Sequence, residues 1–514
     1  MNKNNNRLLI LDFGSQVTML IARRLRELGY YSEIRPYYEK IESIESFQPQ
    51  AVILSGGPFS VYDAESPRRD VKELLDRYPV LGICYGMQLL AHQLGGQVQS
   101  AQHREYGIKE IAWNHSVSGE IPMKHNVWMS HGDVVTQIPT EAEVLCQTAD
   151  HIAGIRHEKF WAFQFHPEVS HTDFGTQMLK AFCDWAGAVA NWNAGTLKEH
   201  CQNLILKTVP PESHVLCALS GGVDSSVVAK LLTDTLGAER VHCVFLDNGL
   251  LRQGEFESVL QQYQKFGLNV IGVDAKDEFM TALKGLTDPE KKRKAIGKTF
   301  IEVFDKAIQN HLSNFKNKIH FLAQGTLYPD VIESVSSMGG SVTIKSHHNV
   351  GGLPEKKNLK LVEPVRLLFK DEVRKLGAEI GLPADMIGRH PFPGPGLAIR
   401  VIGEVTEDKL KILKQADHIF IQELKKNNLY NQIWQAFCVL LPVQTVGVMG
   451  DGRTYENVLA LRAVTSKDGM TADWYEFETA FLRHTSNQIT NQVKGINRVV
   501  YDVTSKPPAT IEWE

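Results

Sequence analysis

The sequence predicts an α/β protein: two doubly wound, mainly parallel-sheet domains in series, followed by a smaller α+β C-terminal unit. Three observations carry this. Short apolar runs alternate with helical patterns over residues 7–190, the rhythm of βαβ units. The same rhythm restarts near residue 195. The stretch His390-Pro391-Phe392-Pro393-Gly394-Pro395-Gly396, too dense in proline and glycine for a helix or central strand, then sets off a third portion. At 514 residues the chain is expected to hold about three domains. The expected boundaries are 7–190, 195–389 and 390–514.

In the first portion, Leu8–Leu11, Ala51–Leu54 and Val80–Ile83 are the strand-like runs, and Gln16–Leu28 and Met87–Gln93 the helical patterns. In the second, Val215–Leu219 reads as a buried strand, Asp224–Leu236 as a helix and Val241–Leu246 as the next strand. His390–Gly396 reads as a hinge. The third portion ends in an apolar strand, Arg498–Thr504, and the tail Ser505–Glu514, which composition alone leaves open between a frayed terminus and an ordered arm. The apolar run Phe437–Val443 fits a core and an interface equally well.

Composition narrows the function classes. Apolar residues at 43% and charged residues at 22% exclude collagen-like, coiled-coil and wholly disordered chains. A formal charge of −4 argues against a broad nucleic-acid surface, so any anionic ligand must be met by a local pocket. No run reaches the roughly 18 apolar residues of a membrane span, and the start lacks a secretory signal. A cytoplasmic protein that touches neither nucleic acid nor membrane is expected. Seven irregularly spaced cysteines without a CxxC pair suggest reduced thiols, not a disulfide framework or structural zinc.

One of those cysteines has special neighbours. The strand ending at Ile83 runs into Gly82-Ile83-Cys84-Tyr85-Gly86, with a helix behind it. A nucleophile on such a turn is pushed outward at a helix N-terminus, where free N–H groups favour thiolate. Taken alone, a cysteine after a buried strand is more often a small core residue. Gln164-Phe165-His166-Pro167-Glu168-Val169 shifts that balance: if Phe165–Val169 is extended, His166 and Glu168 share a face. Cys84, His166 and Glu168 then form a thiolate triad, with His166 as base and Glu168 as its orienter. Ser55-Gly56-Gly57-Pro58 offers bare amides for an oxyanion hole, Gly57 N–H joining that of Tyr85. As a set these motifs resemble the class I glutamine amidotransferases. The resemblance implies attack by Cys84 on the glutamine side-chain amide, release of ammonia, and Gln88 beside the bound glutamine.

The second portion carries an anion site. Ser220-Gly221-Gly222-Val223-Asp224-Ser225-Ser226 follows a strand and opens a helix, so backbone N–H groups and hydroxyls converge where a phosphate would sit. It is not a Walker loop, because no Gly-Lys-Ser/Thr triplet follows; its aspartate, Asp224, suits magnesium instead. The run resembles the N-type ATP pyrophosphatase signature, which implies adenylation with release of pyrophosphate. Asp247-Asn248-Gly249 is then expected to border adenosine, although a surface turn explains it nearly as well.

Taken together, the chain resembles the glutamine-hydrolysing GMP synthase family over nearly its whole length. That resemblance implies adenylation of xanthosine monophosphate (XMP) by ATP and amination of the adenylyl-XMP intermediate to GMP. It implies roles in adenylation and a lid for Asp330, Glu333, Lys345, His347 and His348. It further implies XMP contacts at Arg293, Lys506 and Glu512, and a homodimer. The rivals are an amidotransferase with another acceptor, disfavoured by the lid and tail segments, and a ligand sensor without turnover, disfavoured by an intact Cys84, His166, Glu168 and Asp224.

Overall fold

The computed structural model describes residues 6–315, 317–335, 359–449, 452–466, 469 and 471–514. These divide into two compact units. One runs through Leu197 and takes in the described residues from Tyr328 to 335; the other holds Lys198–Leu327 and the described residues from 359 to Glu514.

The first unit is built on nine strands: β1 (Arg7–Asp12), β2 (Tyr31–Pro36), β3 (Ala51–Leu54), β4 (Val80–Ile83), β5 (Gln97–Trp113), β6 (Lys124–Gln137), β7 (Glu143–Gln147), β8 (Ile152–His157) and β9 (Phe160–Phe163). They lie in the order β2-β1-β3-β4-β9-β8-β7-β5-β6. The first five in that order are mutually parallel. The fully buried runs of β1, β3 and β4 make that half, with no polar face to present to water. The other half is an antiparallel wing, β9 to β6, which the βαβ reading did not anticipate. Its strands alternate: β6 buries His125, Val127, Met129 and His131 between exposed or half-exposed neighbours, the period of a sheet with one wet face.

In the second unit β10 (His214–Leu219), β11 (Val241–Asp247), β12 (Val270–Asp274), β13 (Ile319–Ala323) and β14 (Lys360–Val362) form a fully parallel sheet in the order β12-β11-β10-β13-β14. A second sheet follows, with β15 (Gln435–Met449) and β16 (Gly452–Thr465) antiparallel, β17 (Asp473–Trp474) beyond, and β18 (Ile496–Tyr501) parallel to β16. β18 stops three residues short of the expected end. Asp502 ends it by accepting from the Thr504 N–H (3.0 Å) and pairing with Arg462 (3.2 Å).

The second and third portions of the sequence share one hydrophobic core, which runs from Leu216 and Val244 to Leu461 and Ile489. The segment expected to be a hinge packs against that core through Phe392. His390 stacks on Tyr430 with ring centroids 3.8 Å apart, meets the Tyr430 carbonyl through Nε2 (2.8 Å) and accepts from Ala436 N–H through Nδ1 (3.2 Å). Gly396 sits at φ +61° where a Cβ would lie 2.6 Å from the Leu250 carbonyl oxygen, so its lack of a side chain lets two backbones touch. Gly396 thus serves close packing, whereas a Cβ on Gly394 would meet nothing within 4 Å.

Candidate active sites

In the first unit, Cys84 joins β4 to the helix Tyr85–Gln93 with φ +51° and ψ −105°, a strained conformation for a residue with a side chain. Two glycines make the turn possible. A Cβ on Gly82 would lie 2.7 Å from the Gly86 carbonyl oxygen, and one on Gly86 would lie 2.5 Å from that of Leu54. The thiol has the Ser130 carbonyl and Gln164 Nε2 each at 3.8 Å.

His166 is brought to the same place, though not by the extended strand expected. Residues after β9 run through a bend and turn, held by His166 N–H to Trp128 O (3.1 Å) and Thr172 hydroxyl to His166 O (2.7 Å). Pro167 favours the turn, and His166 Nδ1 still meets Glu168 Oε1 at 2.7 Å. Both side chains are buried. Burial by itself would lower the imidazole pKa, but the Glu168 charge, hydrogen bonding to Cys84 and the Glu168 hydrogen bond together raise it well above the ordinary value. Gly56 lines the pair: a Cβ there would sit 3.1 Å from His166 Cε1 and 3.5 Å from Cys84 Cβ. A Cβ on Gly57 would instead strike the Phe13 carbonyl oxygen at 2.7 Å. Tyr85 opens the helix and sends its hydroxyl to Pro67 O (2.6 Å); Gln88 donates to Asp133 O (2.9 Å).

In the second unit, β10 leads through Ser220-Gly221-Gly222 into the helix Val223–Leu236, with Gly221 at φ +78°. The hydroxyls of Ser220 and Ser225 lie 3.2 Å apart, and Ser226 fastens the loop through Gly222 O (2.8 Å) and Tyr263 OH (2.8 Å). Asp224 takes Lys370 Nζ on Oδ2 at 3.1 Å, while its buried Oδ1 has no hydrogen-bond partner. Arg389 donates to Gly221 O (3.2 Å). A helix N-terminus flanked by Lys370 and Arg389 is an anion cradle. Nearby, Asp247 pairs with Lys276 (2.9 Å) and caps Gly249 N–H (3.0 Å), so the Asp247–Gly249 turn is internally fixed.

The tail Ser505–Glu514 is ordered. Ile511 is buried, and Trp513 donates to Asp502 (3.0 Å). Glu512 accepts twice from the fully buried Arg400, at 2.8 and 3.1 Å, and once from Gln435 at 2.6 Å. Arg293 donates to Glu514 O (2.7 Å), and Lys506 to Gly469 O (2.7 Å).

Residues 9–185 match the class-I glutamine amidotransferase family, residues 198–317 the NAD synthase family, and residues 422–513 the GMP synthase C-terminal domain. A glutamine-hydrolysing GMP synthase of Bdellovibrio bacteriovorus is 62% identical over 508 residues, covering 98% of this chain and 99% of that one. Those of Chlorobaculum tepidum and Christiangramia forsetii are each 53% identical, over 98% and 99% of this chain and 98% and 100% of theirs. The chain belongs to the glutamine-hydrolysing GMP synthases.

Of the positions singled out by resemblance to that GMP synthase family, Asp330 is half-buried on the helix Tyr328–Val335. Lys345, His347, His348 and the side chain of Glu333 lie outside the described residues. Several neighbours escaped sequence reasoning: Ser130, Asp133 and Gln164 around the thiol, Lys370 and Arg389 around the loop, and Arg400 and Gln435 behind Glu512. The polar run Ser130-His131-Gly132-Asp133 inside a strand was a usable signal. The cations had none, because their partners lie more than 100 residues away in sequence.

Proposed function

We propose that the two sites perform the two halves of one reaction, glutamine-dependent conversion of XMP to GMP, with the full-length similarity to GMP synthases as the observation that carries it. The enzyme is an ATP-dependent ligase of guanine nucleotide biosynthesis. In the first unit the Cys84 thiolate attacks the side-chain carbonyl of glutamine. His166 takes the thiol proton and hands it to the departing nitrogen, the C–N bond breaks, and a γ-glutamyl thioester remains for water to hydrolyse to glutamate. Glu168 holds the imidazole in register. Gly57 and Tyr85 N–H groups stabilise the oxyanion, and Gln88 borders the substrate.

In the second unit the XMP C2 oxygen attacks the α-phosphorus of ATP, and the P–O bond to the β-phosphate breaks. Ser220, Gly221, Gly222, Val223, Asp224, Ser225 and Ser226 hold the departing pyrophosphate. Ammonia then displaces AMP at C2 to give GMP. The unpartnered Oδ1 of Asp224 beside a phosphate cradle fits a magnesium ligand, since Mg²⁺ is commonly held by one or two carboxylates plus substrate phosphates. When bound, Mg²⁺ would neutralise charge on the phosphates. Arg293, Lys506 and Glu512 bind XMP; Asp330, Glu333, Lys345, His347 and His348 assist adenylation.

The chain acts as a homodimer through the outer part of the β15–β16 hairpin. Val446 and its cross-strand partner Tyr455, with Val448, expose apolar surface that a second copy would cover. We assign the enzyme to the cytoplasm, because its seven cysteines are all free and its nucleotide substrates are intracellular.

The test supplies ATP, magnesium and XMP with glutamine or ammonium and follows the products. AMP, pyrophosphate and GMP are expected in equal amounts; ADP and phosphate would refute adenylation. Cys84→Ala should abolish the glutamine-driven reaction and spare the ammonium-driven one.

A further inference from the structure

Beside the triad lies a second buried histidine–carboxylate pair, Glu105 and His131, which no step above uses. The two are cross-strand neighbours in the β5–β6 register, next to the irregularity between Ser100 and Glu105. Their side chains are 5% and 1% exposed, with His131 Nε2 3.2 Å from Glu105 Oε2. The two groups face each other at ion-pair distance. On the other side of the ring, His131 Nδ1 meets the Asp133 carbonyl oxygen at 3.0 Å.

A carbonyl oxygen and an ionised carboxylate can only accept. The Asp133 carbonyl therefore takes its proton from Nδ1, and Nε2 faces a carboxylate that can only accept. Burial would raise the Glu105 pKa, but the His131 hydrogen bond and charge outweigh it and hold the carboxyl below its ordinary value. His151 and Lys109 lower it further. A buried pair of this kind has little freedom to move, because separating the partners leaves a buried carboxylate uncompensated.

The pair connects to the thiol. The Asp133 carbonyl that accepts from His131 also accepts from Gln88 Nε2 (2.9 Å). Gln88 Nε2 lies 3.4 Å from Gln164 Oε1, and Gln164 Nε2 lies 3.8 Å from Cys84 Sγ. From the residue before His131, the Ser130 carbonyl faces the same sulfur at 3.8 Å. An unbroken polar chain thus runs from Glu105 through His131, Asp133, Gln88 and Gln164 to Cys84.

We propose that His131 and Glu105 are positioning residues of the glutaminase site, which fix the Ser130–Asp133 segment and Gln88 so that the pocket beside Cys84 accepts glutamine. The inference rests on Cys84 being the glutaminase nucleophile. It differs from the triad's role: the pair touches neither the thiol nor the departing nitrogen, and it acts on substrate binding.

The experiment measures glutamine-driven and ammonium-driven GMP formation by the full chain carrying Glu105→Gln, His131→Asn or both. Losing one charge-assisted contact corresponds to about a tenfold change in binding. The KM for glutamine should rise about tenfold in Glu105→Gln and more in His131→Asn, with kcat within about threefold of wild type and the KM for ammonium unchanged. The double variant should be no worse than His131→Asn alone, since the two side chains act as one unit. A glutamine KM within twofold of wild type in both single variants, a fall in kcat without a rise in KM, or multiplicative losses in the double variant would each overturn it. Glu105→Gln preserves size and shape and keeps the question measurable if His131→Asn does not fold. Failure of the thiol reading is distinguishable, because it would appear as glutamine turnover that survives Cys84→Ala.

Discussion

Glu168→Gln isolates the charge in the triad. The substitution keeps the shape of the side chain and removes the anion 2.7 Å from His166 Nδ1, in a place where both side chains are buried and Glu168 Oε2 has no other partner. A hydrogen bond to a charged group is worth about 1.5–3 kcal/mol, which is about a 10- to 150-fold effect on rate, and burial favours the upper end. Glutamine-driven kcat/KM should therefore fall by about 100-fold, while ammonium-driven turnover stays within about twofold. The pH dependence has a defined sign. The folded-state His166 pKa is raised, so its stabilising contribution is fully present below the unfolded value of about 6.5 and is lost as pH rises through the higher folded value. The Tm deficit of Glu168→Gln should consequently be larger at pH 6 than at pH 9. Steady-state assays with the two nitrogen sources and thermal melts at both pH values check this. Wild-type glutamine turnover in the variant, or a deficit that grows with pH, would refute the reasoning.

Asp224→Asn removes a carboxylate charge that faces Lys370 on one oxygen and no protein group on the other, so AMP formation should drop about 100-fold or more with either nitrogen source, while loss of the part-exposed Lys370 pair costs little Tm; coupled AMP assays and melting curves read both. Gly86→Ala puts a Cβ 2.5 Å from the Leu54 carbonyl oxygen, where only backbone can yield, and a urea midpoint should show destabilisation of at least about 1–3 kcal/mol. Val448→Arg, at the exposed end of the β15–β16 hairpin, tests the proposed homodimer and should shift sedimentation toward the monomer.

The geometry of the candidate sites was legible in the sequence where it is local. Gly82 to Gly86 and His166 to Glu168 each complete their geometry within five residues, and the phosphate loop within seven. The parallel strands were legible for the same reason, since an uninterrupted apolar run needs no partner to declare itself. Failures came where meaning depends on what lies opposite. The alternation in β6 was present to be read, yet its pairing with β5 and the placing of Ser130 and Asp133 beside Cys84 are products of the sheet. Proline and glycine density in His390–Gly396 reports backbone geometry, and says nothing of whether the segment is exposed. Only the structure shows that Gly396 lies against Leu250.

The same principle explains the tail. Three cations of the second unit, Lys292, Arg400 and Arg462, have fully buried side chains, which in isolation would be among the least favourable features a fold could contain. Each meets a carboxylate from the region 502–514: Lys292 with Glu514, Arg400 with Glu512, Arg462 with Asp502. Arg462 also donates to carbonyls of Thr504 and Thr510. Arg400 is further sandwiched against the rings of Phe392 and Phe437, which suits a weakly hydrated guanidinium. Undocking Ser505–Glu514 would leave Lys292 and Arg400 buried without their carboxylates and take the Thr510 carbonyl from Arg462, so the ordered arm, not the frayed terminus, is the state the core requires. The net charge of −4 is silent about this, because the decisive charges cancel in pairs. Glu512 enters that arrangement already held on two sides, by Arg400 and Gln435, so the proposed XMP contact would carry no cost for ordering its carboxylate.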